Sequence, residues 1–321
     1  MSQLRAALPK SSTLALFARV SRTSERIIVP IGDETSAESE AKPIFYCVHD
    51  VTGAAGAEYI DLARHMGSTA RFYGIQAPPN RMSDPEFGES IESVASFYAQ
   101  AVEEFQPDGP FYLGGFSGGA IVALEMAQRL RHAGREVALL VAVDAAPENV
   151  PPERRGWHPD YLLKVARNFP AWIRHGGFRR QKNSHSLGKR IGNNLLKVGK
   201  GLVGLKLDEK WSGGRSIDDL MNLERYPPPQ RSFINRLYSA YFDYVAAPYP
   251  DPVVAYEAQV RPLLKWPQFG RRWLKIAPAT EIVEMPGTHI ELLREPYVVG
   301  LAEDLCQRIA ARHGANRAPT G

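Results

Sequence analysis

The feature that most restricts the fold is a repeated switch of hydrophobic period between Pro43 and Asp144. Ile44-Phe45-Tyr46-Cys47-Val48 is an apolar run without polar alternation, as a strand buried on both faces requires. Helical spacing follows over Glu58–Met66, then a strand over Arg71–Ile75, a helix over Glu89–Phe105 and a strand at Phe111-Tyr112-Leu113. Ala120–His132 is again helical and Val137–Val143 is another buried strand, ending at Asp144. Strands alternating with helices bury themselves as a parallel sheet covered on both faces, so a doubly wound α/β fold is expected.

The rhythm stops near Pro147 and resumes at strands expected over Val253–Tyr256 and Thr280–Met285, with a closing helix over Pro296–His313. Between them lies a stretch without strand signals that holds Trp172, Trp211 and Pro227-Pro228-Pro229. The expected organisation is a core of residues 43–149 and 251–313, a basic helical lid insertion at 150–250, and a tail at 314–321. Residues 1–42 are expected to be a partly disordered N-terminal extension. They begin with five Lys/Arg against Glu25, and the apolar stretch Leu14–Val20 is too short for a secretory signal.

With 44% apolar and 23% charged residues, the 321-residue chain can supply a sizeable core. It contains no apolar run of about 18 residues, the minimum for a membrane-spanning helix. Cys47 and Cys306 match no zinc or redox spacing, so no metal is expected and a reducing cytoplasm is the default compartment. The net charge of +4 is unevenly placed: Ala171–Lys210 carries ten Lys/Arg against Asp208 and Glu209, a balance of +8 that leaves −4 elsewhere. Such a block is either a solvated segment or a surface that meets an acidic partner. No nucleic-acid-binding motif accompanies it, so nucleic acid is not an expected partner, and neither is a membrane.

The chemistry-bearing motif is Gly115-Phe116-Ser117-Gly118-Gly119, a Gly-x-Ser-x-Gly pattern set between a strand and a helix. A turn this tight strains the serine backbone and needs small neighbours, and it lifts Ser117 above the carboxyl ends of the strands. A serine hydroxyl needs a base. His289, in Pro286-Gly287-Thr288-His289 after the last strand, can reach back over Ser117. His49 ends the first core strand and suits a packing role, His132 lies on a helix, and His175 and His185 fall in the basic block. The candidate orienting acid is Asp144, with Glu257 and Asp251 as alternatives; the order Ser117, Asp144, His289 suits this arrangement. Backbone N–H groups of Val51 and Gly118 are the expected oxyanion donors.

These stretches, FYCVHDVTGAAGAEYIDLARHM, VEEFQPDGPFYLGGFSGGAIVALEMAQRLRHAG, VALLVAVDAAP and MPGTHIEL, resemble the thioesterase domains of nonribosomal peptide and polyketide synthases, within the α/β-hydrolase superfamily. The resemblance runs from about Ile28 to Ile309, with 150–250 recognisable only as a lid. It implies an α/β-hydrolase fold, an acid after the strand that follows the nucleophile strand, which favours Asp144, and an oxyanion donor at Val51. Asp50 and Thr52 depart from the small residues usual in the family at these places. A carboxylate there opposes developing negative charge unless it turns away or is neutralised.

The expected function is therefore a serine hydrolase, a thioesterase releasing an acyl or peptidyl chain from a phosphopantetheine thioester in secondary-metabolite biosynthesis. No cofactor is expected, since phosphopantetheine arrives with the substrate, and an acyl- or peptidyl-carrier protein is the expected partner. The length leaves no room for adenylation, condensation or carrier domains, so a free-standing enzyme is expected. A carboxylester hydrolase and a non-catalytic acyl-binding protein remain alternatives. Phe169, Trp172, Leu220 and Tyr241 are equally suited to an acyl pocket or a core.

Overall fold

The computed structural model describes residues 27–32, 41–147, 168, 170, 217, 221–260 and 269–317. The basic block, Phe169, Trp172, Leu220, His175, His185, residues 1–26 and residues 318–321 lie outside the described residues.

Seven strands form one sheet: β1 (Ile28–Pro30), β2 (Ile44–Val48), β3 (Arg71–Ile75), β4 (Phe111–Phe116), β5 (Val137–Val143), β6 (Val253–Val260) and β7 (Glu281–Thr288). Their order is β1-β3-β2-β4-β5-β6-β7. β1 runs antiparallel to β3 and every other pair is parallel. The helices are α1 (Ile60–Met66), α2 (Ile91–Phe105), α3 (Gly118–His132), α4 (Pro228–Asp243), α5 (Phe269–Ile276) and α6 (Tyr297–Arg317).

Alternate residues of the central strands enter two separate cores, which explains why these strands read as unbroken apolar runs. Tyr46, Val48, Leu113, Leu140 and Ala142 face α2, α3 and α4 through Tyr98, Leu124 and Leu237. Phe45, Cys47, Tyr112, Leu139 and Val141 face α1 and α6 through Leu62, Met66, Leu301 and Leu305. Each fully buried Leu or Ile contributes about 1.5–3 kcal/mol against its ordering entropy. α2 starts at Ile91 because the Ser90 hydroxyl accepts the Ser93 N–H at 3.1 Å, a cap worth about 1 kcal/mol.

Several elements differ from the sequence expectation. Ile28–Pro30, inside the expected extension, pairs with β3 as an edge strand. α5 was not signalled; it is fixed by Trp273, wholly buried, whose Nε1–H donates to the Ala145 carbonyl at 2.7 Å. α3 begins at Gly118 rather than Ala120, since two glycines hide the helix start from propensity. The final helix continues past His313 to Arg317, into the expected tail. Cys47 and Cys306 are both free thiols. Among the described residues no helix is long and apolar enough to cross a membrane, and no group of three His, Cys, Asp or Glu is placed to hold a metal.

Candidate functional site

Ser117 occupies the turn between β4 and α3 with φ 54° and ψ −127°, left-handed backbone that a residue with a Cβ adopts only under constraint. The constraint is visible on both sides. The Ser117 N–H donates to the Val143 carbonyl at 2.9 Å, tying the turn to β5. A methyl on Gly115 would lie 2.2 Å from the Gly119 backbone, and one on Gly119 would lie 2.4 Å from the carbonyl oxygens of Val48 and His49. Strand, turn and helix can therefore approach this closely only with glycine at both places. Gly118 is the first helical residue, so its N–H has no intrahelical acceptor.

One residue beyond β5, Asp144 is also left-handed, at φ 51°. Its N–H donates to the Tyr256 carbonyl at 2.8 Å, and its buried carboxylate accepts the Ala258 N–H on Oδ1 at 2.9 Å. Oδ2 meets Nδ1 of His289 at 2.6 Å. A carboxylate accepts, so the ring proton sits on Nδ1 and Nε2 keeps its lone pair. The Phe116 ring stacks against the imidazole at 4.4 Å between centroids, so the residue preceding Ser117 in the chain touches the ring. The histidine loop is fixed by Glu291, whose Oε2 accepts from the Thr288 N–H at 2.9 Å and the Thr288 hydroxyl at 2.7 Å. The two alternative acids are engaged elsewhere: Asp251 pairs with Arg131, and Glu257 accepts the Gly270 N–H at the start of α5.

The loop after β2 forms the opposite wall. His49 is buried, its Nδ1–H donating to the Asp50 carbonyl and its Nε2 accepting from the Tyr98 hydroxyl at 2.7 Å. Burial pushes its pKa down, and the hydrogen bond to the Asp50 carbonyl opposes that. This is the packing role suggested by sequence. Asp50 turns its carboxylate onto its own loop, where Oδ1 accepts the Thr52 N–H at 2.8 Å and the Thr52 hydroxyl at 2.5 Å. Glu58 lies against Asp50, and its carboxyl is pushed up to about 8, first by burial, then by the Asp50 charge and the hydrogen bond between the two, with Arg294 pulling the other way. Glu58 is thus protonated at neutral pH, which answers part of the charge problem raised by Asp50.

Three contributors carry no local sequence signal. The buried Tyr59 hydroxyl donates to the Val48 carbonyl at 2.5 Å and accepts the Phe116 N–H at 3.2 Å, bracing β2 against the serine turn. Gln230 Nε2 on α4 donates to the Thr52 carbonyl at 2.8 Å. Glu58 is the third. The first two join positions 57 and 178 residues apart, for which no local pattern exists.

Residues 43–168, less than half of the chain, match the family model described as "Thioesterase domain". The chain resembles the thioesterase domains of nonribosomal peptide and polyketide synthases. A non-reducing polyketide synthase of Floropilus chiversii is 43% identical over 115 residues, which are 34% of this chain and 5% of that one. A dimodular nonribosomal peptide synthase of Bacillus subtilis is 32% identical over 147 residues, 41% of this chain and 6% of that one. This chain therefore spans only a small part of the length of these curated relatives. Among solved structures, the NocB thioesterase domain from the nocardicin cluster, in covalent complex with a fluorophosphonate nocardicin G analog, superposes with a TM-score of 0.52 at 20% identity, covering 88% of this chain and 99% of that one. The RedJ thioesterase of the prodiginine pathway in Streptomyces coelicolor gives 0.52 at 19% identity, with 87% and 97% covered. A four-domain nonribosomal peptide synthetase gives 0.56 at 21% identity, with 90% and 21% covered. At these identities the likeness establishes the fold, a thioesterase-type α/β-hydrolase sheet.

Proposed function

We propose that this thioesterase-like chain releases an acyl or peptidyl group from a phosphopantetheine thioester through an acyl-enzyme on Ser117. The observation that carries this reading is the 2.6 Å contact between His289 Nδ1 and buried Asp144, with the imidazole stacked on Phe116, the neighbour of a serine held in left-handed backbone. Nε2 of His289 is left free to take the Ser117 proton as Oγ adds to the thioester carbonyl. Asp144 holds the tautomer and stabilises the imidazolium; it is not itself protonated. The N–H groups of Val51 and Gly118 receive the oxyanion. The tetrahedral intermediate then expels the pantetheine thiolate, which takes the proton from His289. Water, or a hydroxyl or amine of the substrate, resolves the acyl-enzyme by the same steps in reverse.

The partner that suits the charge distribution is an acidic carrier protein. The +8 segment Ala171–Lys210 would attract it, along with the phosphate of the pantetheine arm. Intact mass spectrometry after exposure to acyl-pantetheine thioesters tests the reading: the protein gains one acyl mass on Ser117, and Ser117→Ala gains none. Acylation of Ser117→Ala, or turnover of oxygen esters in preference to thioesters, overturns it. Carrier-linked turnover should fall more steeply with added salt than turnover of a free thioester; equal slopes remove the carrier from the account.

A further inference from the structure

The tyrosine on α4 that faces the serine turn is buried in a way the mechanism above does not use. Tyr241 is 3% exposed, and its hydroxyl has no hydrogen-bond partner among the described residues. It packs directly on Gly118: a methyl built on that glycine would lie 2.3 Å from both Cζ and Oη of Tyr241. Glycine at 118 and tyrosine at 241 therefore fit each other, and the hydroxyl rests against the residue that opens α3.

The position is rigid. Gln230 bonds the Thr52 carbonyl, Arg236 donates to the carbonyls of Met82, Asp84 and Phe87 at 2.9–3.1 Å, and the Tyr244 hydroxyl donates to Glu125 at 2.9 Å. Phe233 stacks on Phe87 at 5.5 Å. α4 is thus pinned along its length, which holds the Tyr241 ring against Gly118. Its two nearest relatives in the site wall are satisfied, Tyr59 by Val48 and Phe116, and Tyr98 by His49. The other unpartnered tyrosine hydroxyls, Tyr112 and Tyr249, lie away from Ser117, at the start of β4 and beside the last turn of α3. Leaving a buried hydroxyl unpaired is costly, and one that lies against the serine turn has a catalytic role among its explanations.

We propose that Tyr241 is a third donor to the oxyanion, acting beside the N–H groups of Val51 and Gly118; this rests on the serine mechanism proposed above. As Ser117 Oγ adds to the carbonyl and its proton passes to His289, the carbonyl π electrons move onto oxygen. That oxygen accepts a hydrogen bond from Tyr241 Oη–H, with no proton transferred, and gives it up when the C=O re-forms and the thiolate leaves. Burial, and after it the charge of Asp50, hold the phenol well above its ordinary pKa, so it remains a donor throughout the working range. A donor fixed before reaction and shielded from water pays no reorganisation when charge develops, and it offsets the nearby Asp50 carboxylate.

Tyr241→Phe in the full chain tests this with three readouts. Turnover of an acyl-pantetheine thioester should lose about 10- to 100-fold in kcat with KM within about twofold. Phosphonylation of Ser117 by a fluorophosphonate, whose phosphoryl oxygen takes the oxyanion's place, should slow by a similar factor. The melting temperature should hold or rise, since an unpaired hydroxyl has been removed. A kcat within twofold of wild type, or a lowered melting temperature with KM and kcat changed together, overturns the role and leaves Tyr241 as packing. Wild-type protein that is not phosphonylated at Ser117 overturns the serine mechanism and this proposal together; a variant labelled as fast as wild type overturns the proposal alone.

Discussion

On one side of Ser117, a single buried carboxylate meets the Ala258 N–H and the His289 ring, and backbone bonds to Val143 and Tyr256 fix Ser117 and Asp144 at their strand ends. On the other side, the loop from His49 to Gly53 is held by two carboxyls in mutual contact, a threonine, and a glutamine reaching in from α4. The first wall is wired through the sheet; the second hangs on side chains, one of them titratable near neutrality. The wall that orients the imidazole should therefore fail abruptly when one atom is changed, whereas the wall that shapes the oxyanion loop should yield by degrees and respond to pH.

Asp144→Asn breaks the comparison most sharply. It keeps the shape but presents a donor to Nδ1, reversing the tautomer, and kcat should fall about 10⁴-fold with the fold retained. A mild effect here, with a severe one for Glu257→Gln, would transfer the orienting role to the other acid. Gln230→Ala removes one neutral hydrogen bond from the loop and should lower kcat/KM about 2- to 10-fold in steady-state assays; no change would show that the loop holds its form without α4. The effect of Glu58 falls on stability rather than on rate. Its carboxyl stays protonated in the fold to about pH 8 but ionises near 4.5 when unfolded. The unfolded chain thus binds fewer protons across that window, and stability falls as pH rises through it. Melting curves from pH 5 to 9 should show wild type losing stability relative to Glu58→Gln; parallel curves would mean that Asp50 and Glu58 do not share a proton. Arg294, Tyr226, Tyr59 and Cys47 are other titratable groups that bear on Glu58, and His49 and Tyr241 feel Asp50.

The central strands were legible because burial on both faces leaves no polar position in them: Ile44–Val48 and Val137–Val143 coincide with β2 and β5. The serine turn was legible because Gly115 answers a steric demand made within five residues, by the Gly119 backbone, although Gly118 and Gly119 answer to Tyr241 and to the Val48 and His49 carbonyls far along the chain. β1 escaped notice because three residues carry no period, and α5 because its fixed point, Trp273 on the Ala145 carbonyl, lies 128 residues away. Asp144 and His289 were candidates from their places after strand ends, but sequence left Glu257 and Asp251 open as the acid.

Local sterics and hydrophobic period are properties of neighbouring residues, so the chain alone determined the parallel strands, the helices packed between them along the chain, and the strained turn at Ser117. Which carboxylate meets His289, which two share a proton, and which tyrosine is left without an acceptor depend on atoms brought together across as many as 178 positions. Hydrogen bonding and desolvation act over a few ångströms of space and take no account of separation along the chain, so only the tertiary structure decided them.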